Sequence, residues 1–386
     1  MSLAPPAQNL LPAPGSSGRS APTGSGGSQP VGNRGSVLRV VGLVLGLGLF
    51  GYTLRDLDAG HLGDLLRSLG PLCLLILLPQ AVGMAFHTAA WKELLVALQT
   101  RARFFALAEV FASSEAVRMA LPAGPAIAES VAAYSLKSRF QATWPRALAS
   151  LASKKAWVLC THALCLLALL VIAQPELAKL AAAVPGGWAL GWFTIGMTAV
   201  LAVTGAFTLA LLASRRAGRA ATLLLAKLPI PKVKRWADAQ AATPEAQAAA
   251  AIPLKSHALA ALFMMGQWVS ELVETWLVLR LLGVELSLAE VLVVELGGSL
   301  VRSLAFVVPG GLGVQDASYV ALLVGLGIPG AEAAAPAFVL LKRAKDIVFV
   351  LLGLGLFATD RKKRTETADS ASADSAAPRA LAGSQT

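Results

Sequence analysis

Residues 188–213 read WALGWFTIGMTAVLAVTGAFTLALLA, a run without a single Asp, Glu, Lys or Arg. A helix needs about 20 mostly apolar residues to cross the hydrocarbon core of a bilayer, and it satisfies its backbone polar groups internally. This run therefore specifies a membrane-spanning helix. The rest of the chain agrees: 56% of its residues are hydrophobic, 14% are charged, and the mean hydropathy is +0.65. Soluble domains carry about a quarter charged residues.

Five more stretches read as full spans, at about 37–54, 68–90, 150–173, 256–282 and 334–357. Two further segments, 105–135 and 286–329, are apolar but interrupted by Pro and Gly. The expected fold is all-α: one polytopic helix bundle of about six spans over 37–357, with two opposed, broken re-entrant elements. Segment 286–329 also fits two short full spans. Residues 1–36 are rich in Pro, Gly, Ser and Ala and cannot bury enough apolar surface to order, so a disordered tail is expected there. The same expectation holds for 358–386, which opens on Arg361-Lys362-Lys363-Arg364.

The net charge is +11, and its distribution sets the topology. Arg34 and Arg39 precede the first span, Lys92, Arg101 and Arg103 follow the second, and Lys137, Arg139 and Arg146 precede the third. The Ala-rich loop 214–255 carries Arg215, Arg216, Arg219, Lys227, Lys232, Lys234 and Arg235. The alternate loops are poorer in basic residues, and 55–67 is net acidic. Every basic loop falls in the cytoplasm if both termini are inside, which is the positive-inside pattern of a cell inner membrane. Such charge attracts anionic headgroups rather than nucleic acid. The 214–255 loop reads as a helical hairpin lying on those headgroups.

The two interrupted segments share a pattern. Pro122-Ala-Gly124-Pro-Ala-Ile127-Ala-Glu129 and Pro309-Gly310-Gly311-Leu-Gly313-Val314-Gln-Asp316 both place an acid seven residues after a Pro. Tyr134 and Tyr319 follow at nearly matching offsets. Pro removes a backbone donor and Gly permits unusual dihedrals, so each helix breaks and frees polar backbone groups. Lipid cannot satisfy those groups, so such breaks sit in protein or line a watery path. Two such elements entering from opposite faces are the mark of an inverted-repeat transporter. The competing reading is two ordinary spans kinked by residues common in membrane helices.

Charges inside apolar segments mark functional sites by default, because each costs at least ~2.5–3.5 kcal/mol to insert. Glu129, Glu295, Arg302 and Asp316 fall inside the broken segments, and Lys342, Arg343, Lys345 and Asp346 interrupt the last span. Lys342 and Arg343 fit either a structural ion pair or a lipid phosphate site. Glu295 and Arg302 lie two turns apart, so they pair directly only across a bend. Glu271 and Glu274 share a face of the fifth span. For Lys92, Lys154 and Lys155 the expectation is snorkelling to the interface. Cys73, Cys160 and Cys165 read as packing residues, and the four histidines have no metal-ligand spacing. Gly46-x-Gly48-x-x-Gly51 lies within a span and lacks the preceding strand of a phosphate cradle. Neither enzyme chemistry, a cofactor nor a metal is expected.

Ser303 to Val320, SLAFVVPGGLGVQDASYV, resembles the signature of the lysylphosphatidylglycerol synthase transmembrane-region family of flippase-like proteins. Leu340-Leu341-Lys342-Arg343-Ala344-Lys345-Asp346 resembles the string in that family's last span, and Pro122–Glu129 resembles its earlier element. The resemblance covers about 37–357 and is nearest to the hopanoid-associated branch. It implies a module that moves a polar lipid (anionic, aminoacylated or hopanoid-type) between leaflets, without the fused aminoacyltransferase of two-domain members. Glu129 and Asp316 would line the path, with Glu295, Arg302, Lys342 and Arg343 at the headgroup. Ala132 stands where the family often has Arg, and Lys154–Trp157 replaces an expected acid. The expected partners are a phospholipid or hopanoid-type lipid, a separate lipid-modifying enzyme and a second copy of the chain. A solute transporter and a non-transporting scaffold are the alternatives.

Overall fold

A computed structural model describes residues 60, 63, 67, 70–121, 124–183, 187–213, 252–305 and 308–380. Among them every regular element is helical. A 3₁₀ turn at Gly70–Ile76 leads into α1 (Leu77–Ala97), then α2 (Phe104–Ala120), α3 (Gly124–Phe140), α4 (Trp144–Ile172), α5 (Gln174–Ala183) and α6 (Trp188–Ala213). The chain resumes with α7 (Leu254–Leu281), α8 (Leu288–Leu304), a 3₁₀ turn at Pro309–Gly311, α9 (Val314–Gly325) and α10 (Ala331–Ala380). The first expected span, the N-terminal tail, Pro122 and all but the end of the 214–255 loop lie outside the described residues.

Three helical stretches, Gly70–Ala97, Trp144–Ile172 and Trp188–Leu212, are long and apolar enough to cross a membrane. Helices α7 and α10 occupy the other two described spans and are interrupted by the charges noted above. Each broken segment is a pair of helices. Helices α2, α3 and α8 have 17 residues each, and α9 has 12. At about 1.5 Å per residue, 17 residues reach roughly 25 Å, short of the ~30 Å hydrocarbon core.

The order long helix, broken pair, long helix occurs twice, as α1–α4 and as α7–α10. The leading helices α1 and α7 pack along each other, and α2 packs along α10. A Cβ on Gly353 of α10 would lie 2.4 Å from the Ala112 carbonyl, so that contact runs backbone to backbone. Trp91, Leu95, Leu107, Phe111 and Leu136 form the core of the first hairpin. A larger core joins α4, α7, α8, α9 and α10 around Leu166, Leu279, Leu296, Leu323 and Phe338. Helix α6 packs on α4 and leaves Trp188, Trp192, Val203 and Phe207 exposed. Apolar side chains outside and buried charges inside are the arrangement lipid demands.

Two boundaries differ from expectation. Residues 174–183, read as a loop, form α5, which buries Leu180 against the main core. Helix α10 continues to Ala380, past the Ala358 boundary expected for the tail. No Gly interrupts 356–380 and Pro comes only at 378, and Ala, Lys, Arg and Glu are strong helix formers.

Candidate functional site

The second break is built by its glycines. Gly310, Gly311 and Gly313 have φ of 57°, 65° and 77°, values that L side chains adopt only at a cost. The Gly313 amide donates to Asp316 Oδ2 at 2.7 Å, capping α9. Asp316 Oδ1 accepts from Arg343 Nε at 2.8 Å, and Arg343 Nη1 donates to the Gly310 carbonyl at 3.2 Å. Arg343 therefore staples the break to α10 and satisfies one of the backbone groups that the break frees. At the first break the Gly124 backbone passes so close to α2 that a Cβ would lie 2.1 Å from the Arg118 carbonyl.

Beside the second break lies a buried network. Lys342 Nζ is 2.5 Å from Glu295 Oε2, which also accepts from the Thr275 hydroxyl. Tyr319 donates to the same carboxylate at 3.2 Å and accepts from Gln315 Nε2 at 2.8 Å. Lys345 Nζ binds Glu274 Oε1 at 2.7 Å and Gln80 Oε1 at 3.2 Å, and Lys342 reaches Glu274 at 3.6 Å. Gly298 makes room for this arrangement, since a Cβ there would meet the Tyr319 ring at 2.3 Å. Lys342 and Arg343 are both held in ion pairs with protein carboxylates. Glu295 pairs with Lys342, not with Arg302.

Arg302 is the exception. It is half-buried, its Cγ lies 3.2 Å from where a Cβ of Gly311 would be, and it forms no ion pair among the described residues. The carboxylate whose charge acts on it most is Glu271, whose Oε2 is buried without a hydrogen bond. Glu271 Oε1 accepts from Gln267 Nε2 at 2.5 Å. Arg118, the counterpart of Arg302, pairs with Glu115 and lies within the fields of both Arg302 and Glu271. Each arginine sits two residues before its helix ends, at Ala120 and at Leu304. There, both also complement the helix dipole. The charge of Glu271 of α7 thus acts on an arginine from each half.

Glu129 is half-buried on α3, and its Oε2 has no hydrogen-bond partner. No hydrogen bond or ion pair joins it to Asp316; the two acids belong to separate halves. Tyr134 is exposed whereas Tyr319 is buried, so the tyrosine match does not extend to their surroundings. Lys154 overturns the snorkelling expectation: it is 6% exposed, with Nζ 4.4 Å above the Trp91 ring. A lysine near the end of an apolar run has the same sequence pattern whether it points to the interface or inward. Lys155, its neighbour, is exposed as expected. The three cysteines are free, and no metal-binding cluster occurs among the described residues.

Residues missed as candidates are Gln80, Arg118, Thr275 and Gln315. Gln80, Thr275 and Gln315 are uncharged and signal weakly, whereas Arg118 carried the same signal as Arg302, a charge inside a broken apolar segment. Residues 39–354 match the family described as the lysylphosphatidylglycerol synthase TM region. No curated protein and no solved structure matches the chain.

Proposed function

The chain belongs to the lysylphosphatidylglycerol synthase TM region family, which ties it to membrane lipid function, and from that premise we propose that it moves a polar, anionic lipid between leaflets. The observation that carries this reading is Arg302. A guanidinium inside a membrane domain is costly unless something neutralises it, and its planar fork matches a phosphate. The neighbouring cations Lys342, Lys345 and Arg343 all have protein carboxylates. The lipid phosphate takes that place at Arg302, with Arg118 as a second contact from the other half. Glu271 faces the same region and receives an amino group where the headgroup carries one.

The recurrence of long helix, broken pair and long helix supports an inverted repeat whose two breaks enter from opposite sides. In that arrangement the headgroup passes between the halves while the acyl chains stay in lipid, and the halves rock about the α1–α7 contact. The network around Glu295 and Lys342 keeps the second half rigid during that motion. No bond is made or broken. The distribution of Lys and Arg among the loops supports a bacterial inner-membrane location with both termini in the cytoplasm.

The test is leaflet exchange in proteoliposomes. Fluorescent phosphatidylglycerol should cross faster than in empty vesicles, and faster than a headgroup lacking phosphate. Exchange no faster than in empty vesicles, from protein shown to be folded, would sink the lipid reading and favour a solute transporter or a scaffold.

A further inference from the structure

Helix α4 of the first half meets α7 and α8 of the second along a seam of hydrogen bonds. Trp157 Nε1 lies 3.0 Å from His257 Nδ1 near the start of α7, with the two ring centroids 5.8 Å apart. One turn further along α4, Trp268 Nε1 donates to Thr161 Oγ1 at 3.2 Å, and Thr161 donates its own hydrogen to the Trp157 carbonyl at 2.8 Å. Beside it, His162 Nε2 is 3.0 Å from Ser299 Oγ of α8, and the His162 ring stacks on Trp268 with centroids 4.5 Å apart.

Counting hydrogens separates the two histidines. Ser299 has one hydroxyl hydrogen and donates it to the Leu296 carbonyl at 2.9 Å. It therefore accepts from His162 Nε2–H, a bond open to neutral and protonated imidazole alike. The Trp268–Thr161 bond contains no titrating group. At the His257 end the roles are reversed. An indole N–H only donates, so His257 must present a bare Nδ1. A proton there sets N–H against N–H and removes the bond.

His257 is placed to receive that proton. It is the fourth residue of α7 and half-buried, next to exposed Leu254 and Lys255, whereas His162 is 5% exposed. The charged groups on the elements around it are Lys255 on α7, Lys154 and Lys155 on α4, and Lys92 and Glu93 on α1, which packs here through Ala90 and Leu94. Helix α6, also packed on α4, has no charged residue. His87 of α1 turns to Phe111, and Cys160 of α4 turns to Gly205. None of these groups bonds to His257 among the described residues, so no ion pair in the structure offsets the loss of the Trp157 bond.

We propose that Trp157 and His257 form an acid-released latch between the two halves. With His257 neutral the latch holds α4 to α7; in acid the seam loosens at that end, while the His162–Ser299 end stays bonded. The latch does not depend on lipid movement.

A double-mutant cycle on the full chain in detergent, read as Tm, tests this. At about pH 8, the upper edge of the histidine range, Trp157→Phe with His257→Phe should lower Tm by less than the two separate losses added. The difference should be about 2–4 °C, the size of one hydrogen bond in a domain of this length. At about pH 5 that coupling should vanish. His257→Gln supplies a side-chain carbonyl that accepts at either pH, so its coupling to Trp157 should persist in acid. No coupling at the higher pH, or undiminished coupling between Trp157 and His257 in acid, would overturn the proposal. So would acid loss of the coupling in His257→Gln, where no imidazole remains to titrate. If Trp157→Phe does not fold, wild type and His257→Gln decide. Wild type should lose about 2–4 °C more on acidification, and equal losses would overturn the latch.

Discussion

Removing the Lys342 ammonium while leaving Glu295 in place should destabilise the protein severely. In Lys342→Met, Glu295 keeps the Thr275 and Tyr319 hydroxyls but loses the cation 2.5 Å away. Glu274 is affected less, since Lys345 stays 2.7 Å from it. An uncompensated buried charge costs about 3–5 kcal/mol. At roughly 2–4 °C per kcal/mol for a domain of a few hundred residues, Tm should fall by about 6–20 °C. The double variant Glu295→Gln with Lys342→Met removes both charges, and its amide still serves Thr275 and Tyr319. It should recover most of the loss, because a buried pair and a neutral, well-packed replacement are often close in stability. Thermal unfolding in detergent, followed by the survival of the size-exclusion peak, reads wild type, Lys342→Met, Glu295→Gln and the double variant. A Tm for Lys342→Met within about 2 °C of wild type would refute the reasoning, since 3–5 kcal/mol predicts several times that shift. So would a double variant as unstable as the two single losses added.

Gly310→Ala places a side chain at φ 57° and should cost about 1–2 kcal/mol, lowering Tm by a few degrees and slowing exchange. Gly298→Ala puts a methyl group into the Tyr319 ring and should displace Tyr319 from Glu295, with loss of stability of about 1–3 kcal/mol in the same melting assay. Gly353→Leu should force α2 and α10 apart, and cross-linking of cysteines placed along that contact would report the separation.

Much of the fold was legible because membrane helices declare themselves through long apolar runs, and the breaks through Pro and Gly. The broken segments were expected at 105–135 and 286–329 and hold the helix pairs 104–140 and 288–325. The site was less legible. Lys342 and Glu295 are 47 residues apart, and the pairing depends on how α8 and α10 pack, which no local pattern encodes. Arg302 stood out in sequence as an intramembrane charge, but only the structure distinguishes it from Arg343, which has a carboxylate of its own. Lys154 was misread because burial over Trp91 is a tertiary fact, and its neighbour Lys155 does face outward. Helix α5 escaped because ten residues with one buried leucine carry little periodicity.

The central claim is that Arg302 receives the phosphate of a moving lipid. It is tested most directly by the rate at which fluorescent phosphatidylglycerol becomes accessible to an impermeant quencher in proteoliposomes, for wild type and for Arg302→Gln. The substitution breaks no ion pair among the described residues, so the protein should remain folded while exchange falls towards that of empty vesicles. Arg302→Lys should retain part of the rate, since it keeps the charge but loses the two-pronged geometry. A folded Arg302→Gln protein that exchanges lipid as fast as wild type would contradict the account.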